Sequence, residues 1–224
     1  MKKNGESVLA EMILAVDWQA LKNGYEVGDF VMPCCPSPAI PKTSPNGRHF
    51  FAHYVDECTS APETQWHLEG KALITATLAT LGHVCTEEVP GISGEALWRA
   101  DTYFEFEGRR IVIELQRSYQ HLDDYFSRQE RYAKAGIECY WLIRPEPAHT
   151  LMGSLARFRI KRDSGGKLIP GFPFVAELPM AILETGNEPY IKFAKLLRAT
   201  PKEWLQSLLE KRFHWSDGVW FIKA

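Results

Sequence analysis

Residues 98–118, WRADTYFEFEGRRIVIELQRS, decide the fold of this chain. They predict two short strands joined by a tight turn at Gly108, because apolar and polar residues alternate on each side of that turn. Alternation with a period of two is typical of a half-buried strand. The predicted apolar face of the first strand consists of Trp98, Ala100, Thr102, Phe104 and Phe106.

The turn sets the register of this hairpin. If it pairs Glu107 with Arg110, Asp101 lies opposite Gln116, and Glu114 lies on the same face, where cross-strand neighbours are about 5 Å apart. Two carboxylates beside an amide make an oxygen-rich site of the kind that suits Mg²⁺ or Mn²⁺. The alternative is a solvated strand face that carries a few acids.

An aspartate followed on the next strand by Glu-x-Gln resembles the core of the PD-(D/E)XK nuclease superfamily. The text around it, RAD at 99–101 and IELQRS at 113–118, is similar to the CoiA-like competence family within it. The resemblance implies an α/β fold of the restriction-endonuclease type, a mixed sheet flanked by helices. It also implies metal-dependent hydrolysis of DNA, with Asp101 and Glu114 binding Mg²⁺ or Mn²⁺. Gln116 stands where many superfamily members, unlike the CoiA-like pattern, carry lysine, and we expect it to orient the attacking water.

A long helix is predicted over residues 63–81. Glu63, His67 and Lys71 are spaced four apart and therefore share one helix face. Without context such a row is typical of an exposed stripe of ion pairs. The row Glu-x-x-x-His-x-x-x-Lys is also similar to the CoiA-like pattern, and this resemblance implies catalytic roles for all three residues. Lys71 is the candidate for the positive charge that a glutamine at the lysine position lacks.

Residues 120–135 predict a second helix, and residues 137–143 a buried strand after it. Arg128 and Tyr132 lie four apart on this helix, and the CoiA-like family has a similar Arg-x-x-x-Tyr after its hairpin. The resemblance implies that they bind the substrate, with the arginine on a phosphate. Arg117 is a further substrate-binding candidate. The alternative is an arginine paired with a nearby carboxylate and a tyrosine packed in the core.

The N-terminal residues 1–60 predict a small β-rich module. Its cysteines and histidines are similar to a zinc-binding pattern of the CoiA-like family, with Met32 in place of the first cysteine. Cys35, His53 and Cys58 are the candidate zinc ligands, since zinc takes thiolate and imidazole ligands in a tetrahedron. The alternative is a metal-free module packed around its aromatic residues. Strands are predicted at 11–16, 26–32 and 48–54.

The predicted nuclease-like core spans residues 61–147, with a further strand at 83–89 and a loop at 90–95. Residues 148–224 form a C-terminal extension to which the sequence assigns no role. We expect it to be loop-rich at 150–180, with a helix at 201–212 and a short hairpin at the end of the chain.

The net charge of −2 over 224 residues does not indicate nucleic-acid binding, so DNA contacts have to come from local basic patches. No apolar run reaches the roughly 20 residues of a membrane span. Five cysteines without an export signal suggest a reducing compartment such as the cytoplasm. The oligomeric state stays open, a homodimer included. Besides a DNA nuclease, the sequence leaves open a non-cleaving DNA-binding relative and a protein-interaction module on the same scaffold.

Overall fold

The chain is described by a computed structural model that covers residues 2–3, 6–32, 38–44, 47–54, 65–94, 96–167, 173–193, 197–216 and 218–223. It divides into two compact units, Met1–Glu63 and Thr64–Ala224. None of the helices in these described ranges is both long and apolar enough to span a membrane.

The first unit combines short antiparallel strand pairs with one α-helix in its described part. Trp18 anchors the helix, since its ring is buried, stacks on His49 at 4.8 Å and donates its indole N–H to Thr43 Oγ1 at 3.0 Å. The elements are β1 (Lys2–Lys3), β2 (Glu6–Ser7), a 3₁₀ helix (Ala10–Met12), α1 (Ala15–Gly24), β3 (Ala39–Thr43) and β4 (His49–His53).

Two of the three strands predicted for this unit are wrong, whereas β4 confirms the third. Residues 11–12 belong to the 3₁₀ helix and residues 15–16 to α1 instead, and Met12 and Val16 are 76% and 74% accessible. An apolar run whose side chains are mostly exposed does not form the buried face of a strand. Residues 26–32 begin with a turn, in which Asp29 accepts the Glu26 N–H through its carboxylate.

The second unit is a seven-stranded mixed sheet flanked by helices, as the resemblance implies. The sheet order is β11-β10-β9-β8-β7-β6-β5, with β7, β8 and β9 parallel and the other neighbours antiparallel. Its elements are α2 (Gln65–Thr80), β5 (Cys85–Ser93), β6 (Ala96–Phe106), β7 (Arg109–Gln116), α3 (Leu122–Lys134), β8 (Glu138–Ile143), α4 (Pro145–Ser164), β9 (Met180–Glu184), β10 (Tyr190–Phe193), β11 (Leu197–Ala199), α5 (Pro201–Leu209), β12 (Phe213–Ser216) and β13 (Val219–Ile222).

The sheet separates two apolar clusters, which we call the α2 face and the α3 face. Alternation along β7 assigns them, because Ile111, Ile113 and Leu115 pack with α2 and α5, whereas Val112 packs with α3 and α4. Both parallel crossovers, through α3 and α4, therefore cover one face.

One prediction about the C-terminal residues is wrong. The loop-rich stretch at 150–180 begins with helix α4, which runs to Ser164 and buries Leu151 and Leu155 on the α3 face. The sheet also continues past residue 147, since β9, β10 and β11 add three strands to it. The predicted helix at 201–212 is found as α5, and the predicted final hairpin as β12 and β13.

Gly70 lets α2 approach the sheet closely. A Cβ at Gly70 would lie 2.3 Å from Leu115 Cδ2 and 3.2 Å from Leu183 Cδ2, in a well-packed core. We expect Gly70→Val to lower the free energy of unfolding by about 1–3 kcal/mol through overpacking. Denaturant melts would measure it. Gly153→Val in α4 is the control, because a Cβ there meets Arg157 at an ordinary 3.6 Å, and an equal loss there would contradict the packing argument.

A candidate nuclease active site

The predicted hairpin exists, but its register differs from the prediction by two residues. Phe106 pairs with Arg109 across a two-residue turn, and the last bridged pair is Thr102 with Ile113. Continuing the count brings Asp101 opposite Glu114 instead of Gln116. The turn has the predicted length of two residues but lies one residue earlier, at Glu107 and Gly108, which both have positive φ, at 48° and 75°.

Strands β6 and β7 part at Asp101. The Leu115 N–H donates to Asp101 Oδ2 at 2.7 Å, so this carboxylate replaces a strand partner for the amide. The single apolar face predicted for residues 98–106 is wrong at the same point. Phe104 packs on the α2 face, whereas Trp98 and Ala100 pack on the α3 face. Where the side chains of β6 change to the other face of the sheet, its regular pairing with β7 ends. The Asp101 carboxylate then accepts the Leu115 N–H in place of a strand partner.

Helix α2 reaches Asp101 through His67. Nε2 of His67 lies 3.1 Å from Asp101 Oδ1, and the two side chains are 12% and 17% exposed. Because an ionised carboxylate can only accept, this contact requires a proton on Nε2. Both carboxylate oxygens of Asp101 are thus held, one by the sheet backbone and one by the helix.

Helix α3 reaches Glu114, whose side chain is buried. Its Oε2 lies 3.1 Å from Arg128 Nη1, and its Oε1 accepts a short hydrogen bond from the Tyr132 hydroxyl. The Arg128 guanidinium also lies 5.6 Å from the ring centre of Trp141. These contacts match the alternative interpretation of the sequence, in which Arg128 pairs with a nearby carboxylate and Tyr132 packs in the core.

The charge of Asp101 acts on the Glu114 carboxyl group. Burial, and next the negative charge of Asp101, raise the pKa of Glu114 from 4.5 to about 7, against the opposing effects of Arg128, Tyr132 and His67. Burial and the Glu114 charge in turn raise the pKa of Tyr132. The Asp101 charge therefore acts on Glu114, although different helices hold the two carboxylates.

The other predicted site residues occupy several positions. Gln116 is buried and donates from Nε2 to the Ser118 carbonyl at 2.8 Å. Lys71 is 4% exposed and pairs with Glu88 at 2.7 Å. Arg117 is half-buried after the end of β7. Glu63, Cys35 and Cys58 lie outside the described residues, so the zinc site stays a prediction, with His53 at the end of β4.

Sequence reasoning missed Glu88. It lies opposite Asp101 by count, between the bridged pairs Glu87–Thr102 and Val89–Ala100. Its signal in the sequence is weak, since two adjacent glutamates on an edge strand are ordinary surface residues.

The donor set of this site fits a hard divalent cation. Asp101 and Glu114 supply carboxylate oxygens. Burial, and next the Asp101 charge, disfavour the charged form of Glu114, and a bound cation would favour it. Across the part of the chain that the structure describes, no group of three or more His, Cys, Asp and Glu side chains is arranged to hold a metal ion. A cation bound here would therefore complete its coordination with backbone oxygens and water.

Helices α2 and α3, the β6–β7 hairpin and both carboxylates lie within one stretch of the chain that matches a known family. Residues 63–159 match the family model described as competence protein CoiA, nuclease-like domain. The match confirms the predicted CoiA-like resemblance, and a nuclease-like domain suggests a nuclease-type role. No curated protein matches the chain.

Proposed function

We propose that this protein is a metal-dependent deoxyribonuclease that hydrolyses phosphodiester bonds. Its context would be DNA uptake and processing, mobile elements or defence. The observation that carries the proposal is the Asp101–Glu114 pair at the point where β6 and β7 part, inside residues that match a nuclease-like family.

Asp101 and Glu114 are the residues that would hold Mg²⁺ or Mn²⁺. Such an ion, when bound, lowers the pKa of a water ligand and stabilises negative charge on a phosphate. The protein's own part is to fix the two carboxylates. The Leu115 N–H and His67 hold Asp101, while Tyr132 and Arg128 hold Glu114.

The remaining side chains act on water and phosphate. Gln116 orients the attacking water through its amide, which the Ser118 carbonyl holds at the end of β7. Arg128 places a guanidinium, the group best suited to a phosphate, at the Glu114 carboxylate. Lys71 brings a positive charge one helical turn from His67. Arg117 stays a candidate for binding the substrate, and Glu63 a candidate for positioning a water or the metal.

One observation favours a different function. Arg128 and Tyr132 already occupy both oxygens of Glu114, which would suit a relative that keeps the scaffold without cleaving DNA. That protein would bind DNA, or another protein, without a catalytic cation.

A cleavage assay separates these functions. Purified protein is incubated with linear and circular DNA, single- and double-stranded, in Mg²⁺, Mn²⁺ or EDTA. The proposal expects cutting that requires the metal and stops in EDTA, and cutting of circles would show endonuclease action. Retention of DNA without cutting, weakened by salt, would replace the nuclease with the binding function. Neither cutting nor retention would leave a scaffold for protein contacts.

A further inference from the structure

Glu88 has a backbone conformation that its type rarely adopts. Its φ is +55° in the middle of β5, although the pairing on both sides of it keeps one register. A left-handed conformation is unfavourable for glutamate, and such strain persists only where the surroundings enforce it. Glu88 lies opposite Asp101 by count. The irregular backbone of β5 therefore lies beside the point where the pairing of β6 with β7 ends.

The Glu88 carboxylate joins two elements of the site. Its Oε1 accepts from Lys71 Nζ on α2 at 2.7 Å, and its Oε2 lies 2.9 Å from Arg99 Nε on β6. Lys71 is 4% exposed, and a buried ammonium requires a carboxylate partner. Arg99 lies two residues before Asp101, and Lys71 lies one turn after His67. Glu88 therefore ties the helix that carries His67 to the strand that carries Asp101.

We propose that Glu88 is a positioning residue, which fixes α2 through Lys71 and β6 through Arg99 so that His67 stays on Asp101. This inference rests on the proposed function for its catalytic consequence, because it assigns the support of the same site. Its structural part, the control of the His67–Asp101 contact, stands apart from any cleavage activity.

The test compares Glu88→Gln with Glu87→Gln, a matched control. Glu87 lies next to Glu88, accepts from Thr75 at 2.9 Å and is 3.8 Å from Lys71, so it contributes little to holding the amine. The first readout is the ¹⁵N signals of the His67 ring at one fixed pH. Wild type and Glu87→Gln are expected to show a protonated Nε2, and Glu88→Gln a mixture of tautomers.

The second readout is cleavage. Glu88→Gln is expected to lower kcat at least tenfold with little change in KM, whereas Glu87→Gln stays within twofold of wild type. Glu88→Gln removes the carboxylate that faces a buried lysine, so it can fail to fold. Arg99→Gln is the second variant, because it leaves the Glu88–Lys71 pair in place and removes only the link from Glu88 to β6. A folded Arg99→Gln protein whose His67 signals match those of wild type would overturn the proposal.

The two readouts also separate the two proposals. A wild-type protein that never cleaves DNA defeats the nuclease, and the His67 signals still decide whether Glu88 controls the contact. An active wild type, together with an unchanged kcat in every folded variant of Glu88 and Arg99, defeats the positioning role alone.

Discussion

Asp101→Asn is expected to reduce metal-dependent DNA cleavage by about a thousandfold or more. The substitution removes one of the two negative charges that would hold the cation, and a catalytic metal is worth several kcal/mol of transition-state stabilisation. An asparagine carbonyl can still accept the Leu115 N–H, so the parting of β6 and β7 is preserved. Initial cleavage rates with Mn²⁺ would measure the loss.

The same variant tests a second prediction, which concerns the pKa of Glu114. Because the Asp101 charge raises the pKa of Glu114, its removal is expected to lower that pKa, which ¹³C NMR of the carboxyl group would detect. Asp123→Asn, on the exposed first turn of α3, is the control. Full cleavage by Asp101→Asn, or an unchanged Glu114 titration, would contradict the assignment of one shared site.

The metal-free protein is expected to lose stability as the pH rises from about 4.5 to 7. Glu114 has a folded-state pKa of about 7 against 4.5 as its ordinary value, so the folded state holds a proton that the unfolded state releases in this range. Stability falls with pH wherever the folded state binds more protons. At 1.36 kcal/mol per pKa unit, the full difference is on the order of 3 kcal/mol.

Comparison with Glu114→Gln isolates this contribution. Both proteins are unfolded by denaturant at several pH values in EDTA, and the difference between their stabilities is plotted against pH. The wild type is expected to lose stability relative to the variant as pH rises, and Mg²⁺ is expected to reduce that loss by favouring the charged carboxylate. A flat difference across the range would show that the Glu114 carboxyl is not held neutral by burial and by Asp101.

The sequence predicted which helix and strands carry the site better than it predicted the pairing register of the two strands. Alternation identified both strands of the hairpin, and spacing placed His67 and Lys71 on one helix face that meets the sheet. The predicted register was wrong because the observed turn requires a positive φ at Glu107, and a glutamate in the sequence does not indicate that conformation. Glu88 was missed for the same reason, since its role comes from a backbone conformation that side-chain pattern does not encode.

Some features depend on tertiary packing, which the sequence pattern does not show. The apolar run at 11–16 has the composition of a strand but stays mostly exposed. Helix α4 carries most of its charged residues near its C-terminal end and buries a narrow apolar stripe. Whether Arg128 contacts a phosphate or a carboxylate is likewise a matter of tertiary geometry, and the structure places it on Glu114.

Trp66, the neighbour of His67 on α2, donates its indole N–H to the Leu183 carbonyl of β9 at 3.3 Å. Leu183 lies beyond the matched residues 63–159, and so do Trp204, Leu205 and Leu208 of α5, which complete the α2 face. During synthesis, every acid of the candidate site leaves the ribosome before the residues that anchor its helix. Since domains fold as units, the site is assembled late, when α5 has emerged. A nascent chain that stalls before α5 therefore carries the acids of the site without the core that aligns them.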